Sequence, residues 1–272
     1  MTMEDKKMVF GYELDAFSRY GLAIPIKLGL ASHCHALITG GSGSGKSYAL
    51  LFLIGKLLQA CPGISIYLCD FKNSGDFSFL EGCAHYYAGQ DCYAGVMDYY
   101  REFSHARADR ALQGRTRHVL IFDEYPAFVS YHQMKDKMDK TKLANDILGA
   151  VAEILMLGRG IGFGCWIVTQ RADSTLFSNG ARDNFMAVCA LGSLSKEQKG
   201  MVFPGQEIPG RAFQAGEGML LADGREITAV KYPLLEDAAG WKRHILGTLA
   251  GGSGTGAPAR GAASEIWMPG HP

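Results

Sequence analysis

The chain has 272 residues and a mass of 29.5 kDa, which suits one large α/β domain or two small ones with a buried core and excludes disorder of the whole chain. Lys+Arg and Asp+Glu number 27 each, so the formal net charge is zero; a polyanion would have to be held by a local basic surface, which speaks against a histone-like binder. The 35 Gly residues exceed the roughly 7% of average usage and point to loops with a task.

After a polar start, Ala36-Leu-Ile-Thr39 predicts a short buried strand that ends in a Gly/Ser loop, and Tyr48 to Gln59 a Leu-rich helix. Ile64 to Asp70 predicts a second strand, with β-branched and aromatic residues and a terminal Asp, and Asp91 to Ala111 a helix. Buried strands follow at Val119–Phe122 and Cys165–Val168, with a well-patterned helix over Leu143 to Leu157 between them. Met186–Leu191 predicts a fifth strand, and Gly218–Ala222 with Ile227–Lys231, separated by Asp223-Gly224, a hairpin. The expected fold class is α/β: a mostly parallel sheet sandwiched by helices, with an antiparallel C-terminal edge.

The seven cysteines are scattered without a C-x-x-C pair, which fits reduced thiols in the cytosol and neither a disulfide framework nor a standard zinc site. His33-Cys34-His35 and Cys83-Ala-His85 also lack paired metal-ligand spacing. No apolar run reaches the roughly 18 residues of a membrane span, and the N-terminus lacks a signal-peptide h-region. These features predict a cytoplasmic protein with no membrane segment of its own. Expected boundaries are a lead-in over 1–34, one main α/β domain over 35–250, and a flexible Gly/Ala/Pro-rich tail over 251–272. Glu265-Ile-Trp-Met-Pro269 in that tail offers a short docking peptide for a membrane-bound protein partner or a neighbouring subunit.

Chemistry concentrates at Gly40-Gly41-Ser42-Gly43-Ser44-Gly45-Lys46-Ser47, which matches G-x-x-x-x-G-K-[ST] between a strand and a helix. Glycines let backbone N–H groups turn toward a phosphate, and the helix N-terminus adds its positive dipole end, with Tyr48 completing the segment expected around the nucleotide. Lys46 is the residue to reach the β/γ oxygens of ATP, and Ser47 to ligate Mg²⁺. The Val119–Phe122 strand delivers Asp123 to the Mg²⁺ shell and Glu124 as general base for an attacking water. After the next strand, Gln170 of Thr169-Gln-Arg171 stands where a polar side chain can sense the γ-phosphate.

Taken in order, these residues resemble the FtsK/HerA branch of RecA-like motor ATPases, which includes FtsK/SpoIIIE translocases, conjugative coupling proteins and EccC-type secretion ATPases. The resemblance runs from about His35 to Tyr232. It rests on His35, Asp70-Phe-Lys72, Asp123-Glu124, Gly158-Arg-Gly-Ile-Gly162 leading to Thr169-Gln-Arg171, Arg182-Asp-Asn184-Phe185 and Gly216-Glu-Gly218-Met-Leu. It implies a homohexameric ring that threads double-stranded DNA through its pore, with ATP between subunits and Arg159 or Arg182 reaching a neighbour's γ-phosphate as an arginine finger. Three positions depart from the family pattern: Ala172 where Pro is common, Asn73 where Gly follows Asp-x-Lys, and Ser195-Lys-Glu197 in place of Asp-Ser-Arg. These departures, with no winged-helix region toward the C-terminus, point to a motor core serving conjugation or plasmid and mobile-element maintenance, for which the resemblance implies a membrane-bound or relaxosome-type protein partner.

Two basic segments are candidates for gripping DNA phosphates: Arg101, Arg107, Arg110, Arg115 and Arg117 before the Asp123 strand, and Lys135, Lys137, Lys140 and Lys142 after it. Both are interleaved with acids, as solvated helix faces are. An EccC-like protein-secretion motor and a slow ATP-dependent assembly protein are the alternatives to a DNA motor.

Overall fold

The computed structural model describes residues 5–114, 116–172, 181–208, 210–222 and 226–250, with the backbone alone at 181 and 182. In chain order the elements are β1 (Lys7–Glu13), α1 (Leu14–Tyr20), β2 (Pro25–Gly29), β3 (His35–Thr39), α2 (Lys46–Ala60), β4 (Ser65–Asp70) and β5 (Tyr86–Ala88). They continue with α3 (Cys92–Ala108), β6 (His118–Asp123), α4 (Tyr125–Asp139), α5 (Leu143–Leu157), β7 (Phe163–Thr169) and β8 (Ala187–Leu191), then α6 (Lys196–Val202), β9 (Glu217–Ala222), β10 (Ile227–Lys231) and α7 (Ala238–Ala250).

Among the described residues ten strands form one sheet in the order β2-β1-β10-β9-β8-β3-β7-β6-β4-β5. From β8 to β5 every pairing is parallel, and from β9 to β2 every pairing is antiparallel. The expected α/β class is therefore the observed one, with one difference at the margin. The C-terminal hairpin is antiparallel, but β1 and β2 from the N-terminal 34 residues pair beyond it and carry the sheet further. Met8, Phe10 and Tyr12 alternate onto the buried face of β1, so this segment completes the core. Pro25 opens the outermost strand, where a missing N–H costs no ladder bond. The Asp223-Gly224 turn and the tail over 251–272 lie outside the described residues.

The parallel strands are apolar on both faces because helices cover both. Leu37, Tyr67, Cys69, Leu120, Phe122, Cys165 and Ile167 point into a core shared with α3, α4 and α5. Their alternating neighbours Ile38, Ile66, Leu68, Ile121, Trp166 and Val168 point into a second core beneath α2 and α7. Gly55 lets the Trp241 indole of α7 lie on α2, and its Nε1 donates to the Leu51 carbonyl at 3.0 Å. This packing fixes α2, and with it the loop that opens α2.

Candidate nucleotide site

The loop from Gly40 to Ser47 leaves the C-terminal end of β3 and enters α2 at Lys46. Gly40, Gly43 and Gly45 have φ of +156°, +77° and +92°, values that side-chain-bearing residues rarely adopt. A Cβ on Gly40 would stand 2.5 Å from the Leu191 carbonyl oxygen, and one on Gly45 2.8 Å from the Gly216 nitrogen, so the glycines answer to both conformation and space. Gly41, Ser42 and Gly43 form an exposed rim, while the Ser44 hydroxyl is buried without a hydrogen-bond partner. The Lys46 ammonium is buried and donates to the carbonyls of Gly40 at 2.6 Å and Gly41 at 3.1 Å. Burial lowers its pKa from the ordinary lysine value, and the charges of Glu124 and Asp123 oppose that shift.

Strand register brings the acids together. Asp123 ends β6 beside Asp70 at the end of β4 and Val168 of β7. Asp123 is 4% exposed; desolvation, with Glu124 and Asp70 close by, pushes its pKa up to about 7, against the pull of Lys46 and Lys72. Asp70, pushed up by burial, accepts hydrogen bonds from the Asn73 N–H at 2.8 Å and the Tyr86 hydroxyl at 3.2 Å. Glu124 adopts φ +60°, ψ +41° in front of α4, and its N–H donates to the Val168 carbonyl at 3.0 Å. A left-handed glutamate is an uncommon, strained backbone of the kind held at working sites.

Gln170 follows β7, which lies between the loop strand and the Asp123 strand, and its side chain is exposed. The Gly40 N–H donates to the Thr169 carbonyl at 3.2 Å, so the residue before Gln170 touches the start of the loop. Arg159 lies elsewhere: its 3-10 turn, Gly158–Ile161, precedes β7 at the opposite end of the sheet. The seven residues of β7 put roughly 20 Å between it and the loop of the same chain. Arg182 belongs to a 3-10 turn, Ala181–Asn184, that likewise precedes its strand, β8; its side chain is outside the described residues. Tyr48 is turned away from the loop, its hydroxyl accepting from the Leu235 N–H.

Four residues near the site received no role from the sequence. Asp70 and Lys72 were visible as a motif, but only the β4–β6 register brings Asp70 beside Asp123. Gly216 was visible as a late Gly-x-Gly, and only the fold seats its N–H 2.9 Å from the Ser44 carbonyl. Thr169 adds a turn bond, its Oγ1 donating to the Arg171 carbonyl at 2.7 Å. Two departures from the family pattern have physical reasons. Asn73 stands at φ +48°, a conformation that asparagine tolerates nearly as glycine does. Ala172 donates its N–H to Gln198 Oε1 at 3.3 Å, a bond proline could not make. Ser195 caps α6, accepting from the Gln198 N–H.

The donor set suits Mg²⁺ in one manner. Among the described residues no three His, Cys, Asp or Glu converge as a metal cluster, so a Mg²⁺ would take the Ser47 hydroxyl and Asp123, with phosphate oxygens and water supplying the rest. The buried setting of Asp123, with Glu124 and Asp70 close by, favours such an ion. The first basic segment is largely spoken for: Arg101 pairs with Asp98 at 3.0 Å, Arg107 pairs with Glu153, and Arg117 is buried. Arg115 is outside the described residues. Lys137, Lys140 and Lys142 are exposed around the α4–α5 turn.

No protein-family model matches the chain. It is 30% identical over 186 residues to the FtsK domain-containing protein YdcQ of Bacillus subtilis (strain 168), a match covering 62% of this chain and 36% of that protein; the chain thus spans about a third of that relative's length. Among solved structures, the cytoplasmic domain of the Thermomonospora curvata type VII secretion ATPase EccC superposes with TM-score 0.63 at 19% identity, covering 97% of this chain and 32% of that one. The pCW3 conjugation coupling protein TcpA, in its monomer form with ATPγS, gives 0.62 at 18%, covering 90% and 71%. ATPases 2 and 3 of EssC from Geobacillus thermodenitrificans give 0.65 at 12%, covering 91% and 49%. At these identities the structures speak for a shared fold. No helix among the described residues is long and apolar enough to cross a membrane.

Proposed function

We propose that this chain, RecA-like in fold, is an FtsK-type P-loop ATPase domain: an ATP-hydrolysing motor that works as a hexameric ring on double-stranded DNA. The hydrolytic reading is carried by Glu124, held in a strained left-handed backbone beside buried Asp123 and one strand removed from the loop strand. Lys46 would exchange its loop carbonyls for the β/γ-phosphate oxygens, and the loop N–H groups would hold the β-phosphate. Mg²⁺, held by Ser47 and Asp123, would neutralise charge on the phosphates. Glu124 would take a proton from the attacking water, and Gln170 would report the γ-phosphate to β7.

The ring reading is supported by the place of Arg159. It is exposed and too far from its own loop, so a nucleotide it serves belongs to a neighbour. The DNA reading is supported by the likeness to an FtsK domain-containing protein, by the fold shared with a conjugation coupling protein, and by the exposed lysines of the α4–α5 turn; service in conjugation or element maintenance belongs to the same reading. ATP hydrolysis measured with and without long duplex DNA, across concentrations that span ring assembly, tests both parts. Duplex is expected to stimulate turnover, and Lys46→Ala and Glu124→Gln to lower it by roughly a hundredfold or more. Turnover that ignores duplex would favour a protein substrate, as in a secretion motor, and no turnover in the wild type would favour an assembly role.

A further inference from the structure

The direction in which a nucleotide must lie follows from strand order. Catalytic Glu124, Asp123 and Gln170 stand on the β7–β6 side of the loop strand β3, so the γ-phosphate faces that side. The nucleoside then leaves on the other side, toward β8 and β9. There the loop is clasped by the ends of the C-terminal hairpin. The Gly216 N–H donates to the Ser44 carbonyl at 2.9 Å, the Tyr232 N–H to the Gly216 carbonyl at 2.8 Å, and the Leu235 N–H to the Tyr48 hydroxyl.

Between the last two anchors runs Tyr232-Pro-Leu-Leu235. Tyr232 is buried and packs edge-on against Phe52 of α2 at 5.8 Å between ring centroids, and Pro233 is buried beside it. Leu234 alone in this segment points outward, 69% exposed. Its backbone is fixed from both sides, so the apolar side chain is presented at a set place next to the first turn of α2. An exposed leucine on an otherwise anchored segment gains from being covered, and a flat nucleobase is the apolar part of the ligand that the neighbouring loop would hold.

We propose that Leu234 is the platform for the nucleobase of the bound nucleotide, with Gly216 setting its place relative to the phosphate loop. The proposal rests on the nucleotide reading above and assigns that site's nucleoside side. An aliphatic platform reads area and not the polar edge of the base, so it favours purines over pyrimidines and separates ATP from GTP little.

Binding of ATP, CTP and inorganic tripolyphosphate to the full chain, measured by calorimetry for wild type, Leu234→Ala, Leu234→Met and Lys46→Ala, tests this. Leu234→Ala is expected to weaken ATP about tenfold and tripolyphosphate less than about twofold, while Leu234→Met keeps the wild-type affinity for both. Equal losses for ATP and tripolyphosphate, or no loss for either, would overturn the platform. So would a Leu234→Asp variant whose sedimentation shows failed assembly while its per-subunit ATP affinity is unchanged, since Leu234 would then be a subunit contact. Unaltered ATP binding by Lys46→Ala would instead sink the nucleotide reading beneath it.

Discussion

At the C-terminal ends of the parallel strands, Asp70, Asp123, Glu124 and Lys46 are buried together, with burial raising the pKa of Asp123 and Asp70 and lowering that of Lys46. At the N-terminal ends Arg159 is exposed, Arg117 is buried with Asp5 near it, and His35 is held neutral. One end has the acids beside Lys46 and the glycine loop; the other has the exposed Arg159. In the proposed ring these two ends would meet head to tail, the heterologous contact that closes into a ring when the rotation allows.

The largest effect expected from breaking that complement is at Arg159. In a ring, Arg159→Ala should cost roughly 10³-fold or more in turnover while leaving ATP affinity unchanged, the range seen for arginine fingers. Mixing Arg159→Ala with Lys46→Ala subunits should restore part of the activity, because some interfaces then pair an intact loop with an intact arginine. Steady-state turnover of the mixture against each variant alone is the measurement. A wild-type rate in Arg159→Ala would remove it from the interface, and the same mixing with Arg182→Ala would decide the second candidate.

A smaller effect separates the ends by pH. Burial lowers the His35 pKa to about 4, with the charge of Arg159 adding to it, and its Nδ1 accepts the Cys165 N–H at 3.0 Å. The folded state therefore binds this proton less readily than the unfolded chain, whose imidazole titrates near 6.5. The stability contributed by neutral His35 is complete above pH 6.5 and lost as pH falls toward 4, a difference on the order of 3 kcal/mol. Denaturant unfolding of the apo chain between pH 7 and 4 should show this slope, and His35→Asn, which keeps an acceptor for Cys165, should flatten it. His85, His118 and His132 are also pushed down by burial and will leave a residual slope. An unchanged slope in His35→Asn would mean that the titration lies in those residues.

The contrast between the ends also explains what could be read from sequence. Strands β3, β4, β6 and β7 were legible because each is a short apolar run buried on both faces, and the loop because its glycines, Lys46 and Ser47 are contiguous. α5 was legible to its ends because its apolar spacing is regular. β1 was missed because Lys6, Lys7 and Gly11 dilute its alternation; Gly11 is needed where Val230 would stand 2.4 Å from a Cβ. α4 was missed because its apolar residues crowd into its first half instead of recurring along one face, and because Pro126 stands in its first turn behind a left-handed Glu124. Asp70 beside Asp123 and Gly216 against Ser44 depend on strand register and on contacts far apart in the chain, which no local pattern carries.

The smallest effect concerns strain. Among the described residues three non-glycine positions have positive φ, and two of them, Asn73 and Glu124, follow the strands that end in Asp70 and Asp123. At the other end of β7 the corresponding position is a glycine, Gly162, at φ +91°. Strain is thus kept where the acids are, and at Asn73 its use is visible: the turn aims the Asn73 N–H at the Asp70 carboxylate. Asn73→Gly keeps both the conformation and that N–H, so its stability should stay within about 0.5 kcal/mol of wild type, relief of strain offsetting the added freedom of the unfolded chain. Asn73→Ala should cost about 1 kcal/mol, because alanine resists the left-handed region. Urea midpoints of the three proteins measure this. If Asn73→Gly were to lower ATP turnover tenfold at unchanged stability, the asparagine side chain, and not its backbone, would be what the acidic end requires.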